Sequence, residues 1–148
     1  MSISIIIAQS PDEIAMCYPI IAQLRPHLQE QDFLGVVTRL SENAGFRLAY
    51  VMDGDAGVDS GVVRAVAGYR VSEWLHTGKY LEIEDLIAGS AERSRGYGGL
   101  LFDWLVDQAR LEGCRQLRLV SGVKRVDAHR FYLRKGMVHE AQYFSLDL

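Results

Sequence analysis

The chain has 148 residues, with 16 Lys and Arg against 19 Asp and Glu for a formal net charge of −3. That length suits a single domain with a full core, and the acidic balance argues against a general nucleic-acid binder, which would carry a basic excess. Two cysteines, Cys17 and Cys114, stand without a CxxC or any metal-ligand spacing, which fits a reduced cytoplasmic protein without a metal better than a disulfide scaffold.

The opening "MSISIIIAQSPDE" has no basic start, and its apolar run is too short for a signal or a membrane span. The expectation is a soluble, cytoplasmic chain with no membrane partner. Ser2 to Ala8 is β-branched and reads as a strand. Ser10, Pro11 and Glu13 then make a helix start, with Ser10 as N-cap and Glu13 completing a capping box. Helical periodicity runs to about Leu24, with Pro19 expected to kink it. A second helix is predicted from Gln31 to Asn43, stopped by Ala44 and Gly45.

Three strands follow: Phe46 to Asp53, Val62 to Leu75 after a glycine-rich turn region, and Tyr80 to Ala88 after the turn signal "HTGK". Together they read as an antiparallel meander. Leu100, Leu101, Trp104, Leu105 and Ala109 have helical spacing, and Gly113 is a suitable stop. "RQLRLVS" (Arg115 to Ser121) is a strand, and two strands joined through a helix favour a parallel pair. "DAHRFYLRKG" reads as a short helix capped by Asp127 and ended by Gly136, and "AQYFSLDL" as a terminal strand exposed enough to mediate a homodimer. The fold class is α/β: a mixed, mostly antiparallel sheet with one parallel pair and about four helices.

Between the third strand of the meander and the next helix lies "ERSRGYGGLLFDWL". Glycine weakens a helix start, but it exposes backbone N–H groups where the helix dipole favours an anion. Gly96, Gly98 and Gly99, with Arg93 and Arg95 alongside, suit a phosphate-bearing ligand. A plain β–α turn with surface arginines explains the segment equally well. A P-loop is excluded because Leu100 and Leu101 replace its Lys and Ser/Thr. The dinucleotide fingerprint is excluded because Leu101 takes the place of its last glycine.

"RSRGYGG" resembles the Q/R-x-x-G-x-G/A signature of the GNAT superfamily of acyl-CoA-dependent N-acetyltransferases. "AHRFYLRKGM" resembles that family's A-x-x-F-Y-x-x-x-G-F segment, with Met137 in place of Phe and Arg125 where many members have Asn. The likeness covers Tyr80 to about Met137. It implies a GNAT-like fold, a single N-acetyltransferase domain over residues 1–148, and a parallel strand pair that splays to hold acetyl-CoA. It also implies that the amides of Arg95, Gly96, Tyr97, Gly98, Gly99 and Leu100 cradle the pyrophosphate, with Arg93 and Ser94 in the same loop. The pantetheine arm would lie along Leu86, Ile87 and Ala88, and Arg125, His129 and Phe131 would add contacts to the donor.

Acetyl transfer needs a neutral amine, and deprotonating a lysine-like ammonium at pH 7 costs about 4–5 kcal/mol. A carboxylate or a water relay can take that proton. "EIED" offers Glu82, Glu84 and Asp85. By the strand period Glu82 and Glu84 share a face and Asp85 opposes them unless a bulge intervenes. Glu82 and Glu84 are the candidate bases, although either one alone reads equally as part of a solvated strand face. Tyr132 is the candidate acid, since the resemblance places a tyrosine hydroxyl beside the departing sulfur; by itself it also reads as a core aromatic. His129 is a helical turn away and reads as a cap or a secondary contact. Phe33 and Trp74 are candidates for an acceptor pocket or the core. His27, His76 and His139 are scattered, so no metal is expected. The function expected is transfer of an acetyl group to a primary amine of a small molecule or peptide by direct attack. The alternative is a non-catalytic acyl-CoA-binding sensor, and the acid-rich strand hints at a cationic acceptor.

Overall fold

The β-branched run Ile3–Ile7 forms strand β1 in the computed structural model, which describes residues 2–54, 61–90 and 95–148. Helix α1, Pro11–Leu24, starts as the sequence predicts. The Ser10 hydroxyl accepts the Glu13 N–H and Glu13 Oε1 accepts the Ser10 N–H, each at 3.1 Å, a reciprocal arrangement that satisfies two otherwise orphaned donors. The helix continues through Pro19. Helix α2, Glu30–Ala44, ends at Gly45, whose φ of 69° is the left-handed stop that glycine adopts at little cost.

Strands β2 (Arg47–Asp53), β3 (Val62–Trp74) and β4 (Gly78–Ala88) form the predicted antiparallel meander, with β1 on the outer edge of β2. Helix α3, Tyr97–Leu111, then crosses over to the short strand β5, Gln116–Leu119. The sheet order is β1-β2-β3-β4-β5, so β5 joins β4 as the one parallel pair of a mixed sheet. Ile14, Cys17 and Ile21 of α1 and Phe33 and Val37 of α2 bury against Phe46, Leu48, Tyr50, Val66 and Ile87 on one face. The alternate positions of the sheet receive α3, whose Leu101, Leu105 and Ala109 are buried and whose Trp104 meets Tyr69 edge-on at 6.2 Å.

Residues 1–118 form one compact unit and residues 119–148 a second. The second contains helix α4, Val126–Arg134. Two expectations are corrected there. Asp127 lies inside the first turn of α4, and the capping position belongs to Arg125, which makes no side-chain cap bond. Ala141 to Leu148 forms no strand: apolar alternation needs a hydrogen-bonded neighbour to become a strand, and this stretch has no ladder and is exposed throughout. Among the described residues no helix is long and apolar enough to cross a membrane.

Candidate active site

The glycine segment delivers the chain into α3 with its amides uncovered. Gly96 sits at φ 86° in the N-cap position, where no side chain caps the helix, and no acidic residue occupies the first turn. The first N–H groups of a helix have no partner within it, so this end is a donor-rich, positively polarised site. Among the described residues, a Cβ built on Gly96 or Gly98 would meet nothing within 4 Å. Neither position is packed against another described side chain, and the uncapped helix start fits a diphosphate. Arg95 and Leu100 are exposed beside them, while the predicted Arg93 and Ser94 lie outside the described residues.

One buried group anchors this turn from below. Asp53, 8% exposed, accepts the Tyr97 hydroxyl at 3.3 Å and pairs with Arg64 at 3.3 Å. The Arg64 guanidinium lies 5.9 Å from the centre of the Tyr97 ring. The residue between Gly96 and Gly98 is thus tied to the end of β2.

Strand β4 supplies the second part of the site. The β3–β4 ladder pairs Gly68 with Asp85 and Tyr69 with Ile83, which leaves Glu84 as the extra residue of a bulge. The bulge resets the alternation. Glu82 pairs across from Arg70, and Asp85 and Ile87 pair across from Gly68 and Val66, so Glu82 and Asp85 share the α1/α2 face. Glu84 reaches Arg70 as well. Leu86 and Ile87 are buried and Ala88 half-buried. The Arg115 N–H donates to the Lys79 carbonyl at 2.8 Å and Arg118 reaches Glu82. β5 therefore accompanies the first half of β4 and ends about level with the bulge, so residues 85–88 run on past it.

All three carboxylates of β4 are held by arginines. Glu82 Oε1 accepts from Arg118 Nε at 2.7 Å. Glu84 takes a two-point contact from Arg70, one bond at 3.1 Å to Nη2 and a second from Nε. Asp85 Oδ1 accepts from Arg25 Nε at 2.9 Å, and Arg25 also donates to the Glu84 carbonyl at 2.9 Å. Each acid of this strand is thus matched by one arginine.

Sequence reasoning missed Arg25, Arg70 and Arg118, which come from three separate segments and meet β4 only once the sheet is assembled. Trp74, 47% exposed, stacks on Arg118. Phe33 is core, packed edge-on against Tyr18 at 5.3 Å.

In the second unit, α4 carries Tyr132, Phe131 and His129. Phe131 and Tyr132 meet edge-on at 5.4 Å. Burial pushes the Tyr132 phenol above its ordinary value, with the Arg125 charge pulling the other way, so the hydroxyl keeps its proton at neutral pH. His129 Nε2 donates to the Gly122 carbonyl at 2.8 Å and so ties the helix to the loop before it. Among the described residues no group of three or more His, Cys, Asp or Glu is arranged to hold a metal ion.

Comparison with known proteins gives these features a context. The model of the acetyltransferase (GNAT) family matches residues 12–137. The uncharacterized N-acetyltransferase YhdJ of Bacillus subtilis (strain 168) is 34% identical over 136 residues, 91% of this chain and 92% of that protein. The aminoalkylphosphonate N-acetyltransferase of Salmonella typhimurium is 32% identical over 98 residues, 66% of this chain and 58% of that protein. Among solved structures, AAC(6')-Iy in complex with the bisubstrate analog CoA-S-monomethyl-acetylneamine superposes with a TM-score of 0.82 at 13% identity, covering 100% of this chain and 99% of that one.

Proposed function

The chain belongs to the GNAT acetyltransferase family, and from that premise we propose that residues 1–148 act as one N-acetyltransferase domain. In this reading the domain moves an acetyl group from acetyl-CoA to a primary amine of a small molecule or peptide. The observation that carries the reading is the start of α3: an uncapped helix entered through a left-handed glycine, with no described atom within 4 Å of a Cβ built at Gly96 or Gly98. Such an end binds a diphosphate through main-chain donors. Acetyl-CoA, when bound, supplies the acyl thioester.

The chain's own groups divide the remaining work. The amides of Arg95 to Leu100, with Arg93 and Ser94, hold the diphosphate. The stretch of β4 that runs past β5 offers Leu86 to Ala88 to the pantetheine arm, with Arg125, His129 and Phe131 as further contacts. The acceptor nitrogen attacks the thioester carbonyl directly; the N–C bond forms as the C–S bond breaks. Glu82 and Glu84, paired with Arg118 and Arg70, hold the ammonium form and receive its proton, directly or through water. Tyr132, held protonated by burial, gives its proton to the departing thiolate and is replenished by the proton that the new amide nitrogen sheds.

The test is a thiol-release assay with acetyl-CoA against a panel of amines and peptides, run beside thermal shift. Acetyl-CoA-dependent stabilisation with thiol release for at least one amine is the expected result. Stabilisation without release from any acceptor would point instead to an acyl-CoA sensor, a reading favoured by the arginine pairing of every β4 acid. No stabilisation at all would overturn both.

A further inference from the structure

We propose that Arg118, seated in the corner formed by Trp74 and Tyr80 and joined to Glu82, is an acceptor-recognition site for short zwitterionic amines. Such a molecule carries a primary amine and an anionic group within a few bonds of each other. The inference rests on the acetyltransferase reading above and names the acceptor class for it.

The Arg118 guanidinium carbon lies 3.6 Å from the centre of the Trp74 ring and 4.1 Å from that of Tyr80. The two rings meet edge-on at 5.7 Å. A guanidinium stacked this way is fixed in orientation before any ligand arrives, which lowers the entropy lost on binding. Its bonding is incomplete. Nε is used by Glu82, while the two terminal nitrogens have no protein acceptor among the described residues. Arg70, by contrast, spends all three nitrogens on Glu84 and the Ala44 carbonyl. Arg25 commits two of its own to Asp85 and the Glu84 carbonyl. The Arg118 side chain remains 25% exposed, so the pair is not sealed inside the core. Two parallel N–H groups on a guanidinium edge match the oxygens of a carboxylate, phosphate or phosphonate.

Glu82 decides what else the ligand must carry. One of its oxygens is taken by Arg118, and the other has no partner among the described residues. A simple anion on the fork would face this carboxylate, and a simple cation on Glu82 would face the guanidinium. A molecule bearing both charges meets both partners with the correct sign. The other two arginines on this face, Arg25 and Arg70, are each matched by a carboxylate and add no net charge. The opposed requirement therefore comes from one side-chain pair, which limits how far apart the ligand's charges can sit.

The experiment compares kcat/KM for matched acceptors by thiol release: an alkylamine, the same amine bearing a carboxylate, and the same amine bearing a phosphonate. The wild type is expected to prefer an anionic partner over the alkylamine by at least about tenfold, and the two anionic arms identify which oxyanion the fork takes. Arg118→Gln should collapse that ratio towards one, mainly through KM, and Arg118→Lys should restore part of it. If Arg118→Gln does not fold, Trp74→Leu, at a half-exposed position, should raise KM for the anionic acceptor. Equal or better turnover of the plain alkylamine by wild type, or an unchanged preference in these variants, overturns the inference and leaves the transferase reading standing. Failure of every amine in the panel would count against the transferase reading itself.

Discussion

Gly68 and Asp85 face each other across the β3–β4 ladder so closely that position 68 has no room for a side chain. A Cβ there would collide with Asp85 Oδ2 and stand 2.5 Å from Cζ of Phe46. The pair sits at the bulge, and Asp85 is also the residue that Arg25 grips from the end of α1.

Gly68→Ala should therefore destabilise the fold by about 1–3 kcal/mol, the usual cost of forcing a methyl into a filled site. Either the Phe46 ring or the Asp85 carboxylate must give way. Thermal unfolding by circular dichroism measures the loss, and a melting temperature equal to wild type would show that the close approach relaxes freely.

Gly98 gives the opposite result in the folded protein, because a Cβ there meets no described atom within 4 Å. Gly98→Leu should fold, with a gain of about 0.5–1 kcal/mol from helix propensity. It should lose the stabilisation by acetyl-CoA, which in wild type at about 100 times Kd amounts to about 2.7 kcal/mol. Differential scanning fluorimetry with and without acetyl-CoA reads both effects. A retained ligand shift would remove the diphosphate site from the start of α3.

Tyr132→Phe should lower kcat by about 10²-fold or more if the hydroxyl protonates the leaving thiolate. Because burial raises the phenol above its ordinary value, its proton stays in place through neutral pH. The wild-type kcat profile should therefore show no alkaline fall from this group below about pH 10. A decline centred between pH 7 and 9 that disappears in Tyr132→Phe would contradict that assignment.

Burial pushes the Cys17 thiol up from 9.0 to about 12, with the nearby Glu13 charge adding to the effect. The folded state thus favours the protonated thiol more than the unfolded chain does. The associated stability is complete below the unfolded value and is lost as pH rises from about 9 to about 12. Cys17→Ala should start less stable, because it leaves a small cavity, but lose less across that interval. Parallel melting curves of the two proteins between pH 8 and 11 check the sign.

Much of the fold can be read locally. The capping box at Ser10, the left-handed stops at Gly45 and Gly113, and the period-two strands are all written within a few residues of where they act. The glycine entry to α3 is legible for the same reason. The charge partners on β4 are not, since Arg25, Arg70 and Arg118 reach it from an α1 terminus, the adjacent strand and a strand beyond a crossover helix. No periodicity within "EIED" reports that each acid is already engaged, and Asp85 changes sides only because Glu84 bulges out of the ladder. The terminal stretch fails in the other direction. "AQYFSLDL" has the right apolar content for a strand, but its pattern says nothing about whether a neighbour is present to pair with it.

The unmatched residue in β4 also fixes where the strand could be shortened. Residues on either side of Glu84 already pair in step with β3, so deleting Glu84 would leave the buried and polar sides of both halves as they are. It would remove the kink together with the Arg70 contact. Deleting a residue well inside either half, Leu81 for example, would invert each side chain between the gap and the bulge and send buried groups into water. Length variation in this strand is therefore tolerable at the kink and costly away from it.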